Sequence, residues 1–154
     1  MKEEIQIACA PILQFLENKT ITPSLANELS ERFPKNSEIL QRIEALCQKG
    51  LSEDLLTMRG SSTLQFGRIQ KPSQASSFSI DIVNMSCKGP GHTHPLGEID
   101  LCFPQDISAQ FDNNTETWVV YGENSWHEPT VTQGRMIILY FLPEGSIRFE
   151  TKPS

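Results

Sequence analysis

Over roughly the first third of the chain, apolar residues recur at intervals of three and four. Ile5, Ala8, Ile12 and Leu16 share one face, Ala26, Leu29 and Phe33 a second, and Ile39, Leu40, Ile43, Leu46 and Cys47 a third. That spacing predicts three amphipathic helices. Boundary residues support the division. Thr22 is placed to cap the second helix with Pro23 in its first position, Pro34 stops that helix, and Gly50 closes the third. Ser52 then starts one further short turn through residues 52–56.

After Met58 the period changes to two. Phe78, Ile80 and Ile82 alternate with Ser79 and Asp81, as in a half-buried strand. The runs WVVYG (118–122) and MIILYFL (136–142) are apolar throughout and predict more deeply buried strands. The run PEGS (143–146) predicts a hairpin turn into SIRFE. About eight short strands separated by Gly, Pro, Asn and Asp predict an antiparallel barrel or sandwich. The chain is therefore α+β, a helical segment over residues 1–57 followed by a β unit over residues 58–154.

Composition narrows the function. The 154 residues suit one globular domain with a sizeable core. No apolar run reaches the roughly 20 residues of a membrane-spanning helix. The acidic start MKEEIQIACAPILQFLENKT is a poor signal peptide, so a cytoplasmic location is expected. A net charge of −6 argues against nucleic acid and anionic membranes as partners, and in favour of a small molecule. Cys9, Cys47, Cys87 and Cys102 form no CxxC pair and are expected as free thiols, with Cys87 and Cys102 flanking the segment of greatest chemical interest.

That segment is GPGHTHPLGEID, residues 89–100. His92 and His94 are two apart, so on a strand both rings leave one face. Glu98 completes the pattern HxHxxxE, and His127, in GENSWHEP, is the third histidine of a chain that has 3. Neutral imidazoles with a carboxylate suit a borderline divalent ion such as Zn, Fe, Mn, Ni or Co. His92, His94, Glu98 and His127 are the candidate ligands.

These two stretches resemble the two conserved motifs of the cupins. Departures fall on turns: Ser86 stands where the first motif has its glycine, Pro104 where a later glycine is usual, and no Pro-x-Gly precedes His127. Together HTHPLGEIDLCF, WVVYGENSWHEPTV and GRMIILYFLPEGSIRF resemble the small 4-hydroxylaminobenzoate lyases of the cupin superfamily, which also begin with a helical segment. The resemblance implies a cupin-type antiparallel β-barrel, the double-stranded β-helix or jelly roll, and a homodimer. It also implies conversion of 4-hydroxylaminobenzoate to 3,4-dihydroxybenzoate with release of ammonia, a step in nitroaromatic degradation.

For that chemistry Asp100, on the same face as Glu98, is the candidate acid or base, and Tyr121 a candidate hydrogen-bond or proton donor. Trp126 is placed to stack on an aromatic ring. A benzoate needs a cation, for which Arg68, Lys71 and Arg135 are available; Arg68, with a planar fork on a predicted strand, is preferred. Other readings are a dioxygenase or isomerase on another small acid, and a ligand-binding cupin without turnover. No basic helix suitable for DNA is present.

Overall fold

The computed structural model describes residues 1–154. Three helices, α1 (Lys2–Leu16), α2 (Leu25–Arg32) and α3 (Glu38–Ser52), precede β1 (Arg59–Gly60), β2 (Leu64–Gln70), β3 (Phe78–Met85) and β4 (His92–His94). There follow β5 (Glu98–Pro104), β6 (Gln110–Phe111), β7 (Trp118–Tyr121), β8 (Ser125–His127), β9 (Val131–Thr132), β10 (Met136–Pro143) and β11 (Arg148–Phe149). The strands form a six-stranded sheet in the order β1-β2-β3-β10-β5-β7, a three-stranded sheet β11-β4-β8 and a pair β6-β9, all antiparallel. This is the expected cupin-type jelly roll, folded as facing sheets rather than as one continuously hydrogen-bonded barrel.

The helices cover the outer face of the large sheet. Ile80, Ile82, Ile99, Leu101, Ile137, Leu139 and Phe141 share one core with Ile5, Ile12, Leu29 and Ile43. Alternate residues of the same strands, among them Val83, Cys102, Ile138 and Tyr140, form a second cluster inside the jelly roll with Phe111 and Val131. Covering both faces explains why β10 is apolar at nearly every position. It also corrects the half-buried reading of the strand around Phe78: Ser79 is fully buried, because the side away from the helices is the interior of the jelly roll and not solvent. In contrast β7 is an edge strand, so Val119 and Tyr121 are only half-buried where continuous burial was expected.

Several boundaries differ from the sequence expectation. Thr22 does not cap α2, which begins after Ser24; its hydroxyl bonds the Ser24 hydroxyl, and Pro23 lies in the preceding turn. Gly50 lies inside α3 and does not close it. It is there for space, since a Cβ would sit 2.8 Å from Leu56 Cδ1. The helix instead ends at Ser52, with Asp54 at φ 55° and the Leu55 N–H bonded to Gly50 O at 2.8 Å. This is a Schellman closure, so no separate turn starts at Ser52. The turn at Glu144 and Gly145 exists, both at positive φ, but it is not a hairpin: β11 leaves β10 and pairs with β4 in the opposite sheet.

Trp118 ties the layers together. Its Nε1–H donates to Phe33 O at 2.9 Å, and its ring contacts Phe33 and Phe141.

Candidate metal centre

Two sheets meet at the site. His92 and His94 lie on β4 and His127 on β8, with His92 opposite His127 in register. Glu98 opens β5 in the large sheet. The turn between His94 and Glu98 carries the chain from one sheet to the other, with Gly97 at φ 91° and its N–H on His94 O. The spacing HxHxxxE thus places imidazoles and carboxylate on facing walls.

Ligand-type atoms of His92, His94, Glu98 and His127 lie within 4.8 Å of one another. Glu98 Oε1 is 3.1 Å from His92 Nε2, and Oε2 is 3.4 Å from both His94 Nε2 and His127 Nε2. The other nitrogen of each ring has a partner that fixes its proton. Nδ1 of His127 faces Asp112 Oδ2 at 2.7 Å, and Nδ1 of His92 faces Pro90 O at 3.3 Å; both are acceptors. Nδ1 of His94 is 2.9 Å from Ser125 Oγ, which spends its own proton on Gly122 O. By this assignment all three Nε2 atoms point toward Glu98, and each offers a lone pair to an ion once any second proton has left.

Buried lone pairs facing a carboxylate are costly unless a cation lies among them. His94 Nε2 and Glu98 Oε2 indeed have no hydrogen-bond partner. The donor set and these orphaned atoms fit a divalent ion; they do not select among Zn, Fe, Mn, Ni and Co.

Charge around the cluster is strongly coupled. Burial alone would raise the Glu98 carboxyl, but the three imidazoles hold it well below the ordinary range. For His127 burial acts downward, and Asp112 with Glu98 outweighs it, raising the ring to about 9. Asp100 is fully buried, neither carboxyl oxygen has a partner, and burial with the neighbouring Glu98 charge pushes its pKa well up.

A cavity of about 590 Å³ opens beside His92. Arg68 and Lys71 line it, but Arg68 Nε and Nη2 are engaged by Asp81. Arg135 is exposed elsewhere. Asp100 and Tyr121 stand next to the cluster without lining the cavity. Tyr121 donates its hydroxyl to Asp112, and its ring lies 4.1 Å from that of His127. Trp126 is not brought to the site: it points off the opposite face of β8 from His127, its Nε1–H donating to Glu150 O. Cys102 faces the interior with its thiol pushed up by burial, whereas Cys87 is half-buried near Thr63.

Three residues of the site escaped the sequence reading. Asp112 and Ser125, which hold the Nδ1 atoms of His127 and His94, had no spacing to mark them. Tyr140 lay hidden in an apolar run, although register sets it between Asp81 and Asp100 on the inner face. It lines the cavity beside His92, its ring 6.3 Å from that imidazole, and no hydrogen bond contributes to its raised pKa, which comes from burial and then from nearby acids.

Comparison with known proteins gives a consistent picture. The family model described as PnbB, 4-hydroxylaminobenzoate lyase, matches residues 7–149. A 4-hydroxylaminobenzoate lyase from Pseudomonas putida is 26% identical over 168 aligned positions, covering 97% of this chain and 96% of the relative. One from Nocardioides sp. (strain LMS-CY) is 26% identical, covering 95% and 93%. Among solved structures, that described as DMSP lyases RdDddP and RnDddQII superposes over 97% of each chain with a TM-score of 0.52 at 11% identity, a likeness of fold.

Proposed function

The chain belongs to the 4-hydroxylaminobenzoate lyase family, and on that premise we propose that it converts 4-hydroxylaminobenzoate, or a close hydroxylaminoaromatic acid, to 3,4-dihydroxybenzoate and ammonia. The observation that carries the reading is the set of three Nε2 atoms converging on Glu98, with His92 opening onto a cavity lined by cations. We place the reaction in the cytoplasm, in a homodimer.

The reaction consumes one water overall: the N–O bond breaks, oxygen enters the neighbouring ring carbon, and nitrogen departs as ammonia. His92, His94, Glu98 and His127 would hold a divalent ion, which would supply Lewis acidity to the reacting oxygen. The remaining work falls to side chains. Tyr140, a neutral phenol facing the cavity, donates a hydrogen bond to the hydroxylamino group and favours departure of its oxygen. Asp100, next to Tyr140 in register and with its pKa pushed well up, stands behind it. Tyr121 positions Asp112, and through it the His127 ring. Arg68 offers the guanidinium N–H groups left by Asp81 to the substrate carboxylate.

The test is stoichiometry. Protein reconstituted in turn with Zn, Fe, Mn, Ni and Co is given 4-hydroxylaminobenzoate, and ammonia and 3,4-dihydroxybenzoate are measured. One ammonia per substrate with at least one metal, abolished by chelator and by His92→Ala, is the expected result. Full metal occupancy with no ammonia from any reconstituted form overturns the reaction.

A further inference from the structure

We propose that the mouth of the cavity is a carboxylate site in which Arg59 and Lys71 supply the countercharge, so that an aromatic acid enters with its carboxylate outward and its opposite substituent toward His92. The inference deepens the reading above and rests on it for the substrate class.

The charge inventory is the first argument. In a chain with 19 acidic against 13 basic residues, the cavity lining holds Lys2, Arg59, Arg68 and Lys71 against Asp81 alone. Arg68 and Asp81 are ion-paired, so together they offer donors but no net charge. Lys2 opens α1 beside Glu3 and Glu4. Lys2, Arg59 and Lys71 enter none of the ion pairs of the chain; Lys2 is half-buried at the start of α1, whereas Arg59 and Lys71 are exposed and stand as the cations of the mouth.

The second argument is polarity along the cavity. Its inner end is His92, buried beside the metal-ligand cluster, and its outer end carries the exposed cations. A substrate whose reacting substituent meets the cluster therefore has its opposite carboxylate among those cations.

The third is the wall. Arg59 pairs in register with Phe66, which places cation and ring side by side on neighbouring strands. Phe66 is 46% exposed and Phe149, also on the lining, 63% exposed. Aromatic side chains left open at a cavity mouth suit contact with a ligand ring. The hairpin bearing Arg59 requires glycine at its turn: Gly60 sits at φ 109°, and a Cβ there would lie 2.1 Å from Leu64 O.

Calorimetry with metal-loaded protein tests the assignment, using the inert probe 4-aminobenzoate and, as its counterpart lacking the carboxylate, aniline. Wild type is expected to bind 4-aminobenzoate at least about tenfold more tightly than aniline. Arg59→Gln and Lys71→Gln should each weaken 4-aminobenzoate about threefold and together about tenfold, leaving aniline unchanged, with the loss shrinking at high salt. Equal affinity of wild type for the two probes, or undiminished 4-aminobenzoate binding in the double variant, overturns the proposal. Binding that depends on Arg59 and Lys71 in a protein releasing no ammonia from 4-hydroxylaminobenzoate upholds the site while discarding the reaction. Ammonia release alongside undiminished probe binding in the double variant does the reverse.

Discussion

Asp112 accepts the Nδ1–H of His127 at 2.7 Å from a turn fifteen residues earlier in the chain, and its other oxygen takes the Thr130 N–H at 2.8 Å. The carboxylate fixes both the tautomer and the direction of the ring, leaving Nε2 free toward Glu98. Such outer partners typically account for about 10- to 100-fold in metal affinity. Asp112→Ala is accordingly expected to weaken metal binding by about that factor in competition with a chromophoric chelator. Tyr121→Phe removes only one donor to Asp112 and should weaken binding by less. Equal affinity of Asp112→Ala and wild type would show that the ring is held by other means.

Metal uptake should depend on pH through His127. In the metal-free protein its pKa of about 9 leaves the ring doubly protonated at neutral pH, with the Nε2 proton facing Glu98. An incoming ion must displace that proton, while Glu98, held low, has none to lose. Apparent affinity should therefore rise about tenfold per pH unit between about pH 7 and 9 and then level off, with about one proton released per ion at the lower end. Removal of the Asp112 charge in Asp112→Asn lowers the His127 pKa and should move the levelling point to lower pH. Affinity flat across that interval in wild type would contradict the account.

The helical layer is coupled to the sheet through Trp118. Substituting phenylalanine keeps most of the packing against Phe33 and Phe141 but leaves the Phe33 carbonyl without its donor. A buried acceptor left unpaired costs about 2 kcal/mol, or about 4–8 °C in Tm at this chain length. Trp118→Phe should show that loss in thermal unfolding while binding metal as wild type does, because the contact lies on the sheet face away from the cluster.

How far the sequence could be read depended on whether an element had one solvent face. The helices were plain because each buries one stripe, and His92, His94 and Glu98 were plain because a two-residue step and a glycine turn are local. Asp112 was not: it reaches His127 only through the pairing of β6 with β9, which no spacing announces. Helices on one side and interior on the other erased the period of two in β10, and Tyr140 disappeared into MIILYFL. Arg59 lay at the junction where the helical period had just ended. Trp126 was misread for the opposite reason, since adjacency to His127 in sequence means the opposite face of a strand.

Tyr140 supplies the sharpest separation of metal binding from turnover. Its ring is 6.3 Å from that of His92, its hydroxyl is engaged by no side chain, and it lines the same cavity. A phenylalanine fills the same space, so fold and cluster should persist; what is lost is one neutral donor at the end where the hydroxylamino group is placed. Tyr140→Phe is therefore expected to retain full metal occupancy and 4-aminobenzoate affinity within about twofold, while kcat for ammonia release falls about 100-fold, at the low end of what a positioned proton donor contributes. If occupancy falls together with turnover, the hydroxyl belongs to the metal's surroundings. If kcat is unchanged, the donor must be sought in Asp100, whose carboxyl lies beside Tyr140 in the same register and has no partner of its own.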